Sequence, residues 1–241
     1  MGRVVTFADL AAQQSSDGVS TAAITRGDVR EMAAEFIRVA PGRSFGASVP
    51  ERSDGYLFVL AGSGGIATGG AKHVLSPQTF ATIQEGQSYS IENGGTAPLD
   101  IVSVLAPPAA DGSGKFPGFH DGIRVAERAT TPIHDVPAER KRRVYFVGHG
   151  AAHSERGHAM IVMYEKDTVT GLHHHPNAES MFVPLDGALQ FTVNGEQVRV
   201  APGQAAYFAM NDTHGLRVAD GFSGASFLEF HIPAAFTTVR E

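Results

Sequence analysis

The sequence predicts an all-β fold built as two consecutive modules, and three observations predict it. Short β-branched or aromatic-rich runs, each of about 4–6 residues, alternate with turns of Gly, Pro, Asn and Asp. That layout recurs in an N-terminal and a C-terminal segment, separated by a Pro- and Gly-rich stretch at 107–142. A sustained helical period is missing except over Phe7 to Gln13.

In the first segment, Ser20-Thr21-Ala22-Ala23-Ile24 is a candidate strand, and Glu35-Phe36-Ile37-Arg38-Val39 precedes the turn at Pro41-Gly42. Tyr56-Leu57-Phe58-Val59-Leu60 runs into the glycine-rich residues 62–70, and Phe80-Ala81-Thr82-Ile83 precedes Glu85-Gly86. The glycine-rich stretch looks like a phosphate loop, but no helix pattern follows to supply an N-terminus for phosphate, so a tight hairpin is expected. The connecting stretch holds Pro107-Pro108, Asp111-Gly112-Ser113-Gly114, Pro117-Gly118 and Pro132. In the second segment Ala159–Tyr164, Ser180–Val183, Leu189–Val193 and Gln197–Val200 read as strands. Asp186-Gly187, Asn194-Gly195 and Pro202-Gly203 read as their turns, with Asn-Gly the strongest hairpin signal. The expected organisation is an N-terminal segment at 1–30, a first module at 31–108, a linker at 109–142 and a second module at 143–241.

The 241 residues suit one large or two small domains, and a 42 % hydrophobic content is enough to build their cores. A net charge of −6 without a Lys/Arg stripe argues against a nucleic-acid partner. The densest basic run, Arg140-Lys141-Arg142-Arg143, reads as a solvated linker end. With no cysteine, disulfides, thiolate ligands and a Cys nucleophile are excluded, and a cytoplasmic location is the default. No apolar run reaches membrane-spanning length, and residues 1–10 lack a signal-peptide core, so no membrane partner is expected. Residues 1–6 formally fit a loose myristoylation pattern. It is too short to carry weight.

His173, His174 and His175, followed by Glu179 and much later by His214, carry the chemistry. On a strand alternate side chains share a face, so His173 and His175 point one way and His174 the other. Glu179 lies just past the Pro176-Asn177 turn, where a following strand brings it back. Three imidazoles and a carboxylate suit a divalent first-row metal.

This second half resembles a cupin, and the whole chain a bicupin: two tandem β-barrels of the jelly-roll or double-stranded β-helix type. The family's first motif runs G, five residues, H-x-H, three or four residues, E, six residues, G. His173, His175 and Glu179 match it, with Asp167 at the opening glycine and Gly187 closing after seven residues. The extra residue near Pro184 suggests a bulge or kink. The second motif runs G, five residues, P-x-G, two residues, H. Gly203 opens it and His214 closes it, with Ala209 and Asn211 for Pro and Gly; Asn best tolerates the positive φ needed there. Counting back by the family spacing from Gly62 puts Gly55 at the carboxylate position of the first half and Val49 and Glu51 at the histidine positions. Counting through Gly86 to Asn93 puts Gln84 at the proline and Tyr89 at the last histidine. A first barrel without metal follows, and His73 is expected to be structural or exposed.

The resemblance implies one metal held by His173, His175, Glu179 and His214, of the Fe, Mn, Ni or Cu type, with zinc less favoured because four protein ligands would close a tetrahedral site. It also implies a small-molecule substrate and a homodimer. Dioxygenases, oxalate-degrading enzymes, isomerases, lyases and plain binding modules all share the pattern. The leading expectation is a dioxygenase-type oxidoreductase acting on a small oxygen-chelating substrate such as a diketone, flavonol-like or keto acid compound. A non-redox isomerase, hydrolase or lyase and a non-catalytic ligand-binding cupin are the alternatives. By parity with Glu179, Met181 and Val183 are expected near the metal, with Met160, Phe191, Tyr207 and Phe227 as further pocket or core residues. Glu229 or His231, alternating with Leu228 and Phe230, could support the ligands from behind. His120, His134, His149, His153 and His158 show no ligand spacing.

Overall fold

The structure, a computed structural model, describes residues 2–11, 17–25, 29–108, 115–193 and 195–241. The chain begins with β1 (Arg3–Thr6), a short helix α1 (Phe7–Ala11), β2 (Val19–Ala23), β3 (Ala33–Val39), β4 (Ser44–Ser48) and β5 (Asp54–Ala61). It continues with β6 (Gly64–Thr68), β7 (Ala71–Leu75), β8 (Thr79–Ile83), β9 (Ser88–Glu92), β10 (Leu99–Ala106) and β11 (Ile123–Glu127). Then come β12 (His134–Val136), β13 (Lys141–Val147), β14 (His158–Glu165), β15 (Val169–His174), β16 (Glu179–Asp186) and β17 (Leu189–Val193). The last strands are β18 (Glu196–Val200), β19 (Gln204–Phe208), β20 (His214–Val218), β21 (Gly224–Ile232) and β22 (Val239–Arg240).

The chain divides into two compact units. One comprises 8–131 with 152–156, the other 1–7, 132–151 and 157–241. The first contains an open six-stranded sheet, β11-β8-β5-β10-β3-β2, and a four-stranded sheet, β4-β9-β6-β7. The second contains a seven-stranded sheet, β1-β19-β16-β21-β14-β13-β12, and a five-stranded one, β18-β17-β20-β15-β22. The two orders repeat each other strand for strand: β3, β5, β8 and β10 play the parts of β14, β16, β19 and β21. The edge place beside β8 is taken by β11 and the matching place beside β19 by β1, the N-terminal strand. Each core is the apolar face where the two sheets of a unit meet, as strands with alternating burial require. Val39, Leu57, Val59, Ile91 and Ile101 fill the first. Phe182, Phe191, Phe208 and Phe227 fill the second, and each such side chain contributes about 1.5–3 kcal/mol when fully buried.

The expected strands fall within β2, β3, β5, β8, β14, β16, β17 and β18, except that Ile24 lies one residue past the end of β2. The glycine-rich run is a hairpin: Gly69 and Gly70, both at positive φ, turn β6 into β7, as a two-residue loop of primed type demands. The expected helix is present over Phe7–Ala11, while Gln13, Asn194 and residues 111–114 lie outside the described residues. Within 109–142, the described part is not featureless. β11 pairs with β8 and β12 with β13.

The extra residue of the first motif is a bulge, since the register of β16 against β21 shifts between Pro184 and Asp186. Proline cannot donate to a ladder, and a bulge removes the need. Gly187, which ends β16, has φ +70, and a Cβ there would meet the Gly224 carbonyl oxygen at 2.5 Å. Gly187→Ala is therefore expected to cost about 2 kcal/mol or more. An unchanged urea midpoint in that variant would show that the turn is not under this constraint.

Candidate metal centre

β15 delivers His173, and His175 follows just past its end, so the two rings share a face. His214 opens β20 and is the direct ladder partner of His173. The ring centroids lie 5.0 Å (His173 to His175), 4.4 Å (His173 to His214) and 5.6 Å (His175 to His214) apart. One nitrogen from each lies within 4.8 Å of the others, and all three residues are buried. Asn211, at φ +66, makes the turn before β20 and donates its N–H to the carbonyl of His175 at 2.9 Å. Asp167 is also at positive φ. Both substituted glycines are thus used as glycines.

Each ring is held in one tautomer. The Nδ1–H groups of His173, His175 and His214 donate to the backbone carbonyls of Gly171, Thr237 and Asp212 at 2.8, 2.9 and 2.9 Å. A carbonyl only accepts, so the proton sits on Nδ1 and the Nε2 lone pair is left over. The Nε2 atoms of His175 and His214 are buried without any hydrogen-bond partner. Unpaired buried acceptors such as these two are costly, and three imidazole nitrogens converging from fixed rings are what a divalent transition metal needs. The residues present therefore fit the group.

Burial also keeps these rings neutral. It is the main cause that lowers His173 from its usual range and pushes His175 to about 4 and His214 to about 3. Neighbouring His158, likewise desolvated, lies at about 4. Folded-state values below the ordinary 6.5 mean that the unfolded chain binds protons first as pH falls. This stability is fully present above about pH 6.5 and is lost progressively towards pH 4. The metal-free protein is expected to show a melting temperature that declines from pH 7 to pH 4.5; a flat or rising profile would contradict it.

Glu179 opens β16, is buried and pairs with Ile232. It is not part of the group that closes within 4.8 Å. The residues of β16 that face the imidazoles are of the other parity: Phe182 packs against His214 at 5.7 Å, and Ser180 Oγ meets His231 Nδ1 at 3.1 Å. Met181 and Val183 are fully buried but do not line the adjoining cavity, whereas Phe182 does. Met160 lines it too, while Phe191 and Phe227 are core.

That cavity has a volume of about 850 Å³ and is bounded by His173 and His175 at one side. Glu229 and His231 enter it as a bonded pair, with Oε1 to Nε2 at 2.6 Å. His231 stacks on Phe236 at 4.0 Å and stands edge-on to His175 at 4.9 Å. The basic run also differs from its expectation as a solvated end. β13 alternates it, so that Lys141 and Arg143 turn into the cavity with side chains 13 % and 22 % exposed, while Arg142 faces out. Composition alone does not reveal such a parity.

The first unit carries a different set. Gly62 ends β5 as Gly187 ends β16, both at positive φ, and the same offset of 125 residues brings Glu179 onto Asp54 rather than Gly55. The same offset pairs Gly55, the position reached by the six-residue spacing, with Ser180. His173 and His175 fall on Ser48 and Pro50, and the ladder partner of Ser48 is Ser88. No imidazole occupies these places. Asp54, with no exposed surface, is held instead by Arg156 at 3.1 Å, by the Phe119 N–H at 3.1 Å, by the Tyr56 hydroxyl at 3.2 Å and by Ser154. Arg156 also reaches Glu85 at 3.2 Å and the Phe116 carbonyl at 3.0 Å. Asp54 is reached only by the seven-residue spacing that separates Glu179 from Gly187 in the first motif of the second unit.

Comparison with known proteins agrees with this geometry. Residues 160–230 match the family model of the cupin domain. A cupin 2 conserved barrel domain protein from Leptotrichia buccalis aligns with TM-score 0.69 at 16 % identity, over 95 % of this chain and 96 % of its own. The oxalate decarboxylase of Lactobacillus farciminis, solved as a formate complex, aligns with TM-score 0.70 at 15 % identity, over 98 % and 88 %. A variant of the Bacillus subtilis oxalate decarboxylase aligns with TM-score 0.70 at 13 % identity, over 98 % and 78 %. No curated protein sequence matches the chain. At such identities the likeness shows the fold alone: this is a nearly all-β chain with a cupin-like fold, a match to the cupin domain at 160–230 and a three-histidine group able to hold a metal. Among the described residues no helix is long and apolar enough to cross a membrane.

Proposed function

We propose that this chain is a bicupin enzyme with one divalent transition metal (Fe, Mn, Ni or Cu) in its C-terminal cupin, and that it is a dioxygenase-type oxidoreductase acting on a small oxygen-chelating substrate. The observation that carries the metal reading is the convergence of Nε2 atoms, two of them buried without partners, at the wall of a substrate-sized cavity. His173, His175 and His214 would hold the ion; Glu179, expected as the fourth ligand, lies outside their group and on the opposite face of β16 from Ser180 and Phe182. Bound there, such an ion supplies a Lewis acid or a redox centre with positions left for substrate oxygens. The chain's own part is to orient the imidazoles through their carbonyl contacts, to exclude water with Phe182 and Phe236, and to hold a proton on the Glu229–His231 pair. The Asp54–Arg156 pair supports a first cupin that holds no metal, because an internal cation, Arg156, already engages the carboxylates of Asp54 and Glu85.

The test is elemental analysis of the purified protein followed by oxygen uptake with a panel of diketones, flavonols and keto acids. Stoichiometric Fe, Mn, Ni or Cu and oxygen consumption are expected. The Glu229–His231 pair favours one other reading, a non-redox lyase or hydrolase, since a carboxylate bonded to an imidazole beside the site can move a proton. The oxalate decarboxylase neighbours fit that reading as well. Turnover under argon, undiminished by redox-inert Zn or Mg, would replace the first reading with the second.

A further inference from the structure

The cavity beside the three histidines has a second polar end, and we infer that this end selects substrates bearing a carboxylate, which Arg143 holds with Lys141 beside it. The inference rests on the metal reading above for the substrate's other end. β13 presents Lys141, Arg143 and Tyr145 on one face, and all three line the same cavity as His173 and His175. Arg143 is only partly satisfied: one Nη meets Glu139 at 2.6 Å, while its Nε is buried without a hydrogen-bond partner. A guanidinium presents a rigid planar fork matched to the two oxygens of a carboxylate, and Arg143, its side chain 22 % exposed, brings such a fork to the cavity wall. Lys141 adds a second cation, positioned at 3.1 Å from Thr170 Oγ1 and over the Tyr164 ring at 5.0 Å.

The acids nearby do not fill this role. Glu139 lies half-exposed and meets both Lys141 and Arg143, and Glu229, which acts electrostatically on both cations, is bonded to His231. Two cationic side chains, Lys141 and Arg143, therefore line one side of a space that His173 and His175 bound at another. A molecule with a carboxylate at one end and metal-chelating oxygens at the other satisfies both; a flavonol or a neutral diketone satisfies only one. This narrows the substrate class to keto acids and related small carboxylates.

Calorimetric titration tests the inference with malonate and its neutral diamide, malonamide, on Mn-loaded protein and on metal-stripped protein. Malonate is expected to bind at least ten-fold more tightly than malonamide. Arg143→Met should weaken malonate by about 10- to 100-fold, the effect of one charge-assisted bond, with metal content unchanged. Arg143→Lys, which keeps charge and loses the fork, should fall between. Equal binding of malonate and malonamide, or malonate affinity unaltered in both variants, would overturn the inference. If stripped protein takes up no Mn yet still binds malonate in an Arg143-dependent way, the anion site stands and the metal reading fails.

Discussion

Metal binding is expected to disappear in His175→Ala while the β fold stays. The substitution removes one of three convergent nitrogens and, with it, the ring whose Nδ1–H is fastened to the Thr237 carbonyl. Loss of a supporting contact around a ligand already costs roughly 10–100-fold in affinity, so loss of the ligand itself should abolish stoichiometric uptake at micromolar metal. The fold has little reason to fail, because the imidazole is an edge-on neighbour of Phe236 and His231 and not part of the aromatic core around Phe182, Phe191 and Phe208. Elemental analysis beside far-UV circular dichroism checks both halves of the statement. Full occupancy in the variant would remove His175 from the ligand set.

Arg156→Ala is expected to be among the most destabilising single substitutions in the first unit, at about 3–5 kcal/mol. It strands the carboxylate of Asp54 in a site with no solvent access and withdraws the partner of Glu85 and of the Phe116 carbonyl. The cost should come mostly from the orphaned charge and not from the worth of the pair. Asp54→Asn combined with Arg156→Met should therefore recover part of the loss, a non-additivity that a double-mutant cycle measures. Urea denaturation giving less than about 1 kcal/mol for Arg156→Ala would refute the burial argument.

How far the sequence reveals this molecule depends on whether a feature is local. The strands around Phe58, Phe80, Ile161 and Phe191 are legible because alternation and flanking glycines are written in consecutive residues. His173, His175 and His214 are legible because ligand spacing follows from strand geometry and a turn. Asn211 at φ +66 could be foreseen for the same reason. Asp54 was hidden: its distant partners are 65, 100 and 102 positions away at Phe119, Ser154 and Arg156, and the six-residue spacing falls on the next residue, Gly55. The inward turn of Lys141 and Arg143 was hidden as well, because a run of four basic residues gives no parity until the strand is known. The edge strands β1 and β11 lie in stretches that read as a terminal segment and a linker, since a short strand completing a distant sheet has no signal of its own.

The placement of β1 at the edge of the second unit's sheet sets how the polypeptide can be divided. Because Arg3–Thr6 pairs with Gln204–Tyr207, a cut near residue 131 would separate the C-terminal half from a piece of its own sheet. The bare margin of β19 would then offer unpaired amides to any complementary strand, the usual route to self-association. The two halves expressed apart should therefore precipitate singly and recover solubility on mixing, whereas moving residues 1–7 to the front of the C-terminal half should make that half self-sufficient.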